Sequence, residues 1–314
     1  MLDKDKVINF MGLKKIAMVL SIILVVASIF SLATKQLSFG LDFTGGTQIE
    51  VLYKDAIPLT EIRSTLEDRG FKNAVVVHFG SERDILVRLA DGIETSLGVN
   101  KDQVGETLLA TLREASNGNI ELKRVEFVGP QVGEELREQG GLALLMALGV
   151  VMLYVAMRFQ FKFSVGAVTA LAHDVIIVLG IFSVFQLDFD LTVLASLLAV
   201  IGYSLNDTIV VSDRIRENFR KLREDDPVEV INLSLTQTLG RTLITSLTTA
   251  MVLLALFMIG GQLIHNFALA LLIGVAVGTY SSIYVAANIL LAMNISREDL
   301  IVVEVNPDEI DDRP

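Results

Sequence analysis

The sequence predicts a polytopic α-helical membrane protein with six transmembrane helices and one inserted α+β domain. Its 314 residues are 52% hydrophobic and have a mean hydropathy of +0.57, values that are too apolar for an ordinary soluble domain. Six separate apolar runs are each near or above the length needed to cross a bilayer. A charged stretch lies between the first two runs and alternates strand and helix patterns, which indicates a domain outside the membrane.

The composition argues against several functional classes. The chain contains no cysteine, which excludes disulfides, thiolate chemistry and cysteine-ligated metals. The net charge of -11 argues against nucleic acid as a partner. The three histidines are widely separated and no H-E-x-x-H pattern occurs, so we expect no metal site. We also expect no catalytic residue, because no nucleophile pattern is evident.

The first apolar run carries no charge from Ile16 to Ala33 and predicts a transmembrane helix over residues 16–34. Residues 1–15 form a short polar N-terminus. A cleavable signal peptide is the alternative, because the small residues at 31–33 loosely match a cleavage site. The run is longer than the apolar core of a signal peptide, so an uncleaved anchor is favoured.

Residues 35–138 are the predicted inserted domain. Its patterns follow the order β-α-β-β-α-β, the split βαβ arrangement of ferredoxin-like domains, in which two helices cover one face of a sheet. Thr60 and Asn100 are the expected N-caps of the two helices, and Gly70 is the expected end of the first. The predicted strands are Thr47–Tyr53, Ala74–Phe79, Asp84–Leu89 and Ile120–Val128, and the predicted helices are Leu59–Arg69 and Lys101–Ala115.

A glycine-rich segment, FGLDFTGGT at residues 39–47, precedes the first of these strands. Paired glycines at Gly45 and Gly46 indicate a tight turn or a close approach of backbone segments. A phosphate-binding loop is the weaker alternative, because no G-K-[ST] follows.

The remaining membrane part covers residues 139–293. Lysine and arginine flank the connection at 158–162 and fill the one at 214–223, whereas the connections at 186–190 and 260–265 contain neither. The positive-inside rule then places both termini in the cytoplasm and residues 35–138 on the far side of the membrane. The predicted spans are Gly140–Met157, Ser164–Phe185, Leu191–Val211, Thr242–Ile259 and Asn266–Met293.

Two polar segments complete the cytoplasmic side. A basic segment occupies about residues 212–238, and its amphipathic part at 214–223 predicts a surface helix attracted to anionic lipid headgroups. A docking helix for a cytoplasmic partner is the weaker alternative. Residues 294–314 are acidic and are expected to be a disordered cytoplasmic tail.

Two carboxylates, Asp174 and Asp207, lie in the middle of predicted spans, and Arg241 opens the fifth. Low dielectric favours the neutral form of a carboxylate and a nearby guanidinium favours its charged form, so an aspartate–arginine pair can switch between paired and protonated states. We predict a proton path through Asp207 and Arg241, with Asp174 as a further candidate member and with Tyr203 and Ser204 as hydrogen-bonding companions of Asp207.

Simpler interpretations remain open for two of these residues. Asp174 shares a helix face with Gly166 and Ala170, so it can equally be a packing hydrogen-bonder where a neighbouring helix approaches closely. Arg241 can be a cytoplasmic anchor, an interpretation that is strong if its helix begins at Thr242 and weak if it begins earlier.

The last predicted span carries a ridge of small residues spaced four apart. Gly274 and Gly278 form a G-x-x-x-G pattern, and helix packing alone explains it. The predicted packing residues are Ala270, Gly274, Gly278 and Ser282, with Ala286 continuing the ridge.

Five segments resemble, in chain order, the motifs of the SecF family, the smaller half of the bacterial SecD–SecF membrane complex. Together these motifs are specific, and the resemblance extends from about Phe39 to Met293. The first two contain the motif residues Gly40, Asp42, Gly45, Gly46, Gly129 and Pro130. The segments are FGLDFTGGT (39–47), VEFVGPQVG (125–133), LAHDV (171–175), IGYSLNDTIVVSDRIREN (201–218) and LTQTLGRTLITS (235–246).

The resemblance implies a subunit related to half of a resistance-nodulation-division transporter, located in the bacterial inner membrane with residues 35–138 in the periplasm. It implies SecD as heteromeric partner, YajC as a further candidate partner, and preprotein export through SecYEG driven by the proton motive force. Protons would be the coupling ion, with no other cofactor. The family's proton-conducting aspartate and arginine match Asp207 and Arg241, and Thr245, one turn beyond, is expected to belong to the same path.

Three rival interpretations remain. An efflux-type half-transporter would need a larger substrate-binding domain than residues 35–138 provide. An intramembrane aspartyl protease would need a G-x-G-D motif, which neither Asp174 nor Asp207 has. A non-conducting assembly subunit predicts that Asp207 and Arg241 can be replaced by apolar residues at little cost.

Overall fold

The structure is a computed structural model that describes residues 7–94, 98–222, 226–296 and residue 299. A short 3-10 helix at Phe10–Leu13 precedes the first long helix. The elements then follow in chain order: α1 (Lys14–Thr34), β1 (Ser38–Phe39), α2 (Leu41–Thr44), β2 (Gly46–Tyr53), α3 (Leu59–Asp68), β3 (Val75–Phe79), β4 (Ser81–Leu89), α4 (Lys101–Ala115), β5 (Ile120–Val128), α5 (Pro130–Arg158), α6 (Phe161–Phe185), β6 (Asp188–Phe189), α7 (Leu191–Lys221), α8 (Pro227–Ile259) and α9 (Gln262–Ala292).

The inserted domain has the predicted β-α-β-β-α-β order. Its antiparallel sheet has the strand order β3-β4-β2-β5, so the first strand of the domain lies in the interior of the sheet. Apolar residues of β2 and β4 alternate toward α3 and α4, because successive side chains of a strand point to opposite faces. The domain core contains Ile49, Leu66, Val87 and Leu108, all fully buried between the sheet and the two helices.

The predicted ends of the domain helices agree with the structure except at one cap. Asn100 is the N-cap of α4, and its backbone N–H donates to the side chain of Gln103. Gly70 follows α3 with a φ of +90°, a conformation that favours glycine. The N-cap of α3 is Pro58 rather than the predicted Thr60, because Leu59 and Thr60 already belong to the first helical turn.

Within the described ranges, six helices are long and apolar enough to cross a membrane, which confirms the predicted fold class. They are α1, α5, α6, α7, α8 and α9. Helix α9 packs against α6, α7 and α8, while α1 packs against α6. At that last contact, Gly180 faces Ser28 so closely that a Cβ at Gly180 would lie 2.1 Å from the serine hydroxyl.

Two membrane helices begin ten or more residues before the predicted spans. Helix α5 begins at Pro130 rather than Gly140, and α8 begins at Pro227 rather than Thr242. Proline at the first helical position needs no backbone partner for its missing N–H, so both starts are favourable. The extra turns carry charged or polar side chains, and hydropathy alone does not detect them.

Part of the predicted cytoplasmic side lies outside the described residues. This applies to residues 1–6, to Arg223 and to nearly all of the acidic tail. The described part of the N-terminal segment contacts α8: the backbone N–H of Met11 donates to Asn232 Oδ1 at 2.9 Å, and the N–H of Ile8 donates to Thr236 Oγ1 at 3.1 Å.

Candidate functional site within the membrane helices

The carboxylate of Asp174 is fully buried in α6 and is bound from two other helices. Ser204 of α7 and Ser281 of α9 donate hydroxyl hydrogen bonds to Asp174 Oδ2 at 2.5 Å and 2.8 Å. The other oxygen, Oδ1, lies 2.9 Å from Nδ1 of His173. Burying a carboxylate is tolerated only when such partners satisfy it, so this cluster fixes the three helices against one another.

His173 connects this cluster to α1. Its ring stacks against Tyr280 with a centroid distance of 6.2 Å. The hydroxyl of Tyr280 donates to the carbonyl of Ala17 at 2.7 Å and lies 3.0 Å from the hydroxyl of Ser21. The Nε2 atom of His173 is buried and has no partner among the described residues.

Asp207 of α7 has a different environment from Asp174. It is 3% exposed, and its Oδ2 atom is buried without a hydrogen-bond partner in the described part of the chain. The polar groups that act on it are the guanidinium of Arg241 and the hydroxyl of Ser246, both on α8. Asp207 is therefore a buried carboxylate whose hydrogen-bonding capacity is partly unused.

Arg241 does not form an ion pair with Asp207 in this conformation. None of the ion pairs between described residues joins the two side chains. Arg241 lies on an exposed part of α8, and the helix begins well before it at Pro227. The early start weakens the interpretation of Arg241 as a terminal anchor.

Three expected members of the proton path contact other groups. Ser204 was expected to accompany Asp207, but its hydroxyl donates to Asp174 instead, because that face of α7 points toward α6 and α9. Tyr203 donates to Ser246 at 3.4 Å rather than to Asp207. Thr245 donates to the carbonyls of Arg241 and Thr242 within its own helix, at 3.0 Å each.

A short polar connection between α7, α8 and α9 was not predicted from the sequence. Ser246 of α8 is 8% exposed, and its hydroxyl lies 2.7 Å from that of Thr279 in α9. Tyr203 of α7 reaches the same serine. The one signal in the sequence is that Ser246 ends the segment at residues 235–246, which also contains Arg241. Spacing along one helix does not reveal contacts with two other helices.

The small-residue ridge of α9 packs against α7. A Cβ at Gly274 would lie 2.2 Å from Val200 Cγ2, and one at Gly278 would lie 3.0 Å from Ser204 Cβ. Ala270, Ser282 and Ala286 are buried along the same ridge. Close packing at Gly278 also brings α9 near Asp174. A Cβ added at Gly278 would lie 3.5 Å from Asp174 Oδ2.

The FGLDFTGGT segment forms the junction between the inserted domain and the membrane helices. Gly45 has a φ of +67°, and a Cβ there would lie 2.9 Å from Pro130 Cα; Gly46 has a φ of +120°, and a Cβ there would lie 2.1 Å from the carbonyl oxygen of Leu89. The predicted close approach of backbone segments is thus present. A side chain at either glycine would collide with backbone.

The same junction reaches the start of α7. Asp42 Oδ2 accepts a hydrogen bond from the N–H of Leu191 at 3.0 Å, and the N–H of Gly40 donates to Phe189 at 2.8 Å. Gly129 is the N-cap of α5, and Pro130 is its first residue. These motif residues therefore lie at the starts of α5 and α7.

The arrangement allows proton binding within the membrane helices. Within the described ranges, no group of three or more histidine, aspartate or glutamate side chains could hold a metal ion. Asp174 is satisfied by three neighbours, whereas Asp207 keeps an unpartnered oxygen near a guanidinium. Asp207 is therefore the carboxylate that can accept a proton on an oxygen that has no hydrogen-bond partner in this conformation.

Comparisons with known proteins agree on one family. Residues 108–296 match the family described as "Protein export membrane protein SecD/SecF, C-terminal", and residues 30–57 match the "SecD/SecF GG Motif". The chain is 50% identical to the protein translocase subunit SecF of Vibrio alginolyticus, over 100% of this chain and 99% of that protein. It is also 50% identical to the SecF subunit of Pseudomonas aeruginosa, over 98% of each.

Two solved structures are similar to the fold. One is SecDF from Thermus thermophilus, described as a translocon-associated membrane protein, with a TM-score of 0.82 and 39% identity over 94% of this chain. The other is SecDF in a super-membrane-facing form, with a TM-score of 0.68 and 38% identity over 92% of this chain. This chain spans 40% and 39% of the length of those two solved chains.

Proposed function

This chain belongs to the SecD/SecF family of protein export membrane proteins, and we propose that it is the SecF-type subunit of a complex that uses the proton motive force to assist preprotein export. SecD is the proposed partner, because the similar SecDF chains are more than twice as long as this one. Preprotein leaving the SecYEG channel is the proposed substrate, with YajC as a further proposed partner.

The observation that carries the proposal is the state of Asp207. A carboxylate at the centre of a membrane helix is costly and is usually retained for function. One oxygen of Asp207 has no partner among the described residues, and Arg241 acts on it without forming an ion pair. A proton arriving at Asp207 would therefore change its electrostatic balance with Arg241 without first breaking a strong contact.

The energy available is sufficient for a conformational change. One charge moving through a potential of about 100 mV releases about 2.3 kcal/mol. That free energy biases two arrangements of α7 and α8 only if the proton binds them with different affinity. We propose that ionised Asp207 draws in Arg241, and that protonated Asp207 releases it.

The proposal also includes the orientation of the chain in the membrane and its role as a proton-coupled subunit that is not an enzyme. Both termini are cytoplasmic and residues 35–138 are periplasmic, which the charge distribution of the loops supports. The subunit is not an enzyme, and protons are its only coupling ligand. The names of the relatives, which are those of a translocase subunit, support the non-enzymatic role, and the assignment of protons rests on Asp207 and Arg241.

Export into inverted membrane vesicles tests the proposal. The vesicles carry this chain with SecD and SecYEG of the same source, and the fraction of preprotein export that an uncoupler abolishes is measured. Asp207→Asn keeps the side-chain volume but cannot ionise, so we expect it to remove that fraction. Asp213→Asn, on the same helix but half-exposed beside Arg158, is the matched control and should keep it.

An Asp207→Asn variant with full uncoupler-sensitive export would exclude Asp207 as the coupling site. If Asp207→Leu and Arg241→Leu also retained it, the chain would act as an assembly subunit that conducts no protons. Proton flux in the same vesicles, measured with a pH-sensitive dye, separates a loss of coupling from a loss of complex assembly.

A further inference from the structure

An ion pair joins the sheet of the inserted domain to the membrane helices. Arg88 lies on β4, and its guanidinium is 3.1 Å from Oδ2 of Asp188, which belongs to β6 between α6 and α7. The side chain of Arg88 is 16% exposed and that of Asp188 is 38% exposed, so the pair is partly shielded from water. Shielding strengthens an ion pair relative to one on an open surface.

The guanidinium of Arg88 is fixed from both sides. Its Nε donates to Gln48 Oε1 at 3.2 Å on the neighbouring strand β2, while its terminal nitrogen reaches Asp188. Gln48 in turn donates to Glu126 of β5 at 3.2 Å. The pair therefore attaches to three strands of the sheet rather than to one flexible side chain, and an arginine fork held in this way is directional.

Asp188 is connected to two membrane helices. Its carbonyl oxygen accepts a hydrogen bond from Asn266 Nδ2 of α9 at 3.0 Å, and its Oδ1 accepts one from Ser38 of β1 at 3.3 Å. The next residues lead directly into α7, where Asp190 caps the helix by accepting from the N–H of Val193 at 2.9 Å. A displacement of the N-terminal ends of α7 and α9 would therefore also displace Asp188.

These two helices carry part of the proton site. Asp207 lies on α7, and Thr279 of α9 contacts Ser246, whereas Arg241 and Ser246 themselves lie on α8. On the other side of the junction, Gly45 and Gly46 are packed against backbone and leave little freedom where the chain enters β2. The contact at Arg88 is thus placed where movement of α7 and α9 would be converted into rotation of the sheet.

We propose that Arg88 and Asp188 are positioning residues that couple the membrane helices to the inserted domain. The inference rests on the function proposed above, and it adds the contact through which a change at Asp207 reaches residues 35–138. Neither side chain binds a proton or preprotein. Both act by keeping the sheet attached to β6 while the helices rearrange.

Charge reversal and exchange test this coupling. In the vesicle assay, Arg88→Asp and Asp188→Arg should each reduce uncoupler-sensitive export by about fivefold or more, the lower end of typical coupling energies between sites. The double exchange of both residues re-forms the pair with opposite polarity and should restore at least about half of the wild-type signal. Arg69→Asp is the control, because it breaks a two-point ion pair with Glu114 at 2.9 Å that lies wholly within the domain.

A distance measurement tests the same contact without export. The chain has no cysteine, so Ser64→Cys on α3 and Lys35→Cys after α1 give two unique sites for spin labels. Pulsed electron resonance should give a narrow distance distribution with the wild-type pair, a broader or shifted one with Arg88→Asp, and a narrow one again with the double exchange. The thermal unfolding midpoint is measured for each variant, and Arg88→Lys replaces any reversal that does not fold.

The outcomes separate the two proposals. Reversal variants with wild-type export and unchanged distances, or a double exchange that restores neither, would overturn the coupling role of Arg88 and Asp188. Wild-type vesicles without uncoupler-sensitive export would instead overturn the proposed function. In that case the distance distributions still decide whether the pair positions the domain.

Discussion

The Oδ2 atom of Asp174 lies 2.5 Å from the hydroxyl of Ser204, which joins α6 to α7 in the interior of the helical part. Ser281 adds a second bond at 2.8 Å from α9. The carboxylate has a relative exposure of 0%, so water cannot replace either partner. Three helices therefore share one satisfied carboxylate, which favours a packing role for Asp174 while leaving its proposed place in the proton path to experiment.

Ser204→Ala should destabilise the helix packing. The substitution removes one of two hydroxyl donors to a buried carboxylate oxygen, and such losses cost about 1 kcal/mol in membrane proteins and up to about 3 kcal/mol in soluble ones. We expect a lower thermal unfolding midpoint in detergent, and a further decrease for the Ser204→Ala and Ser281→Ala double variant.

The matched control for this prediction is Thr169→Val on α6. Its hydroxyl donates to Val165 of its own helix at 2.7 Å and does not contact another helix. An unchanged midpoint in Ser204→Ala, equal to that of Thr169→Val, would show that the Asp174 cluster does not contribute to packing.

Gly274→Val should disrupt the contact between α9 and α7. A Cβ at this position would lie 2.2 Å and 2.8 Å from the two Cγ atoms of Val200, and overpacking of this kind costs about 1–3 kcal/mol. The midpoint of unfolding should decrease in Gly274→Val and recover partly when Val200→Ala is added. Gly202→Ala on α7 is the control, because a Cβ there meets nothing within 4 Å.

The inserted domain could be predicted from local sequence because its signals are local. Helix α4 and strand β5 have the predicted bounds, since the Asn100 cap, the apolar periodicity and the flanking turns all agree. Strand β4 begins at Ser81, three residues before the predicted start, because Ser81, Glu82 and Arg83 are exposed and carry no apolar alternation.

The junction could not be predicted because its contacts are long-range. Strands β1 and β6 have two residues each and pair in parallel, Ser38 with Asp188 and Phe39 with Phe189. Such short strands have no detectable period. The glycines of the motif indicated a close approach, but only the fold shows that Gly45 meets Pro130.

The candidate site could be predicted only in part, because several of its contacts also join different helices. Asp174, Asp207 and Arg241 stood out because ionisable residues are rare in apolar runs. Ser204 was assigned to Asp207 from its spacing on the same helix, whereas the contact with Asp174 depends on how α6 and α7 face each other. Serine and threonine are common in membrane helices, so Ser246 and Thr279 gave no comparable signal.

The tyrosine in the domain core should titrate at unusually high pH. Burial, with a smaller contribution from the charge of Glu61, raises the pKa of Tyr53 to about 12, compared with ~10 for an exposed tyrosine. The folded state binds the phenol proton more tightly than the unfolded state. Tyr53 therefore contributes stability that is complete below about pH 10 and is lost as the pH rises toward 12.

Absorbance of tyrosinate measures this titration in the intact protein. Tyr53 should give a transition near pH 12, and Tyr53→Phe should remove that transition and weaken the loss of stability between pH 10 and 12. A Tyr53→Phe variant with the same alkaline transition would show that another tyrosine is responsible.

Ser246 should be required for coupling but not for folding. Its hydroxyl acts on Asp207 and lies 2.7 Å from Thr279, while Thr279 donates its own hydrogen to Val275 at 2.7 Å. Ser246→Ala leaves Thr279 with its bond to Val275 and removes only the long 3.4 Å acceptor of Tyr203, so the unfolding midpoint should change little. Uncoupler-sensitive export should decrease several-fold, because the polar connection from Asp207 to α9 is interrupted.

Two further variants decide how this result is interpreted. Ser246→Thr keeps the hydroxyl and should retain most of the uncoupler-sensitive export. Thr248→Val on the exposed face of α8 should retain all of it, because its hydroxyl donates only to backbone carbonyls of the same helix. If Ser246→Ala also retained wild-type export, the proton would have to reach Asp207 without the Ser246–Thr279 contact, and the path would then depend on Arg241 and Thr245 along α8.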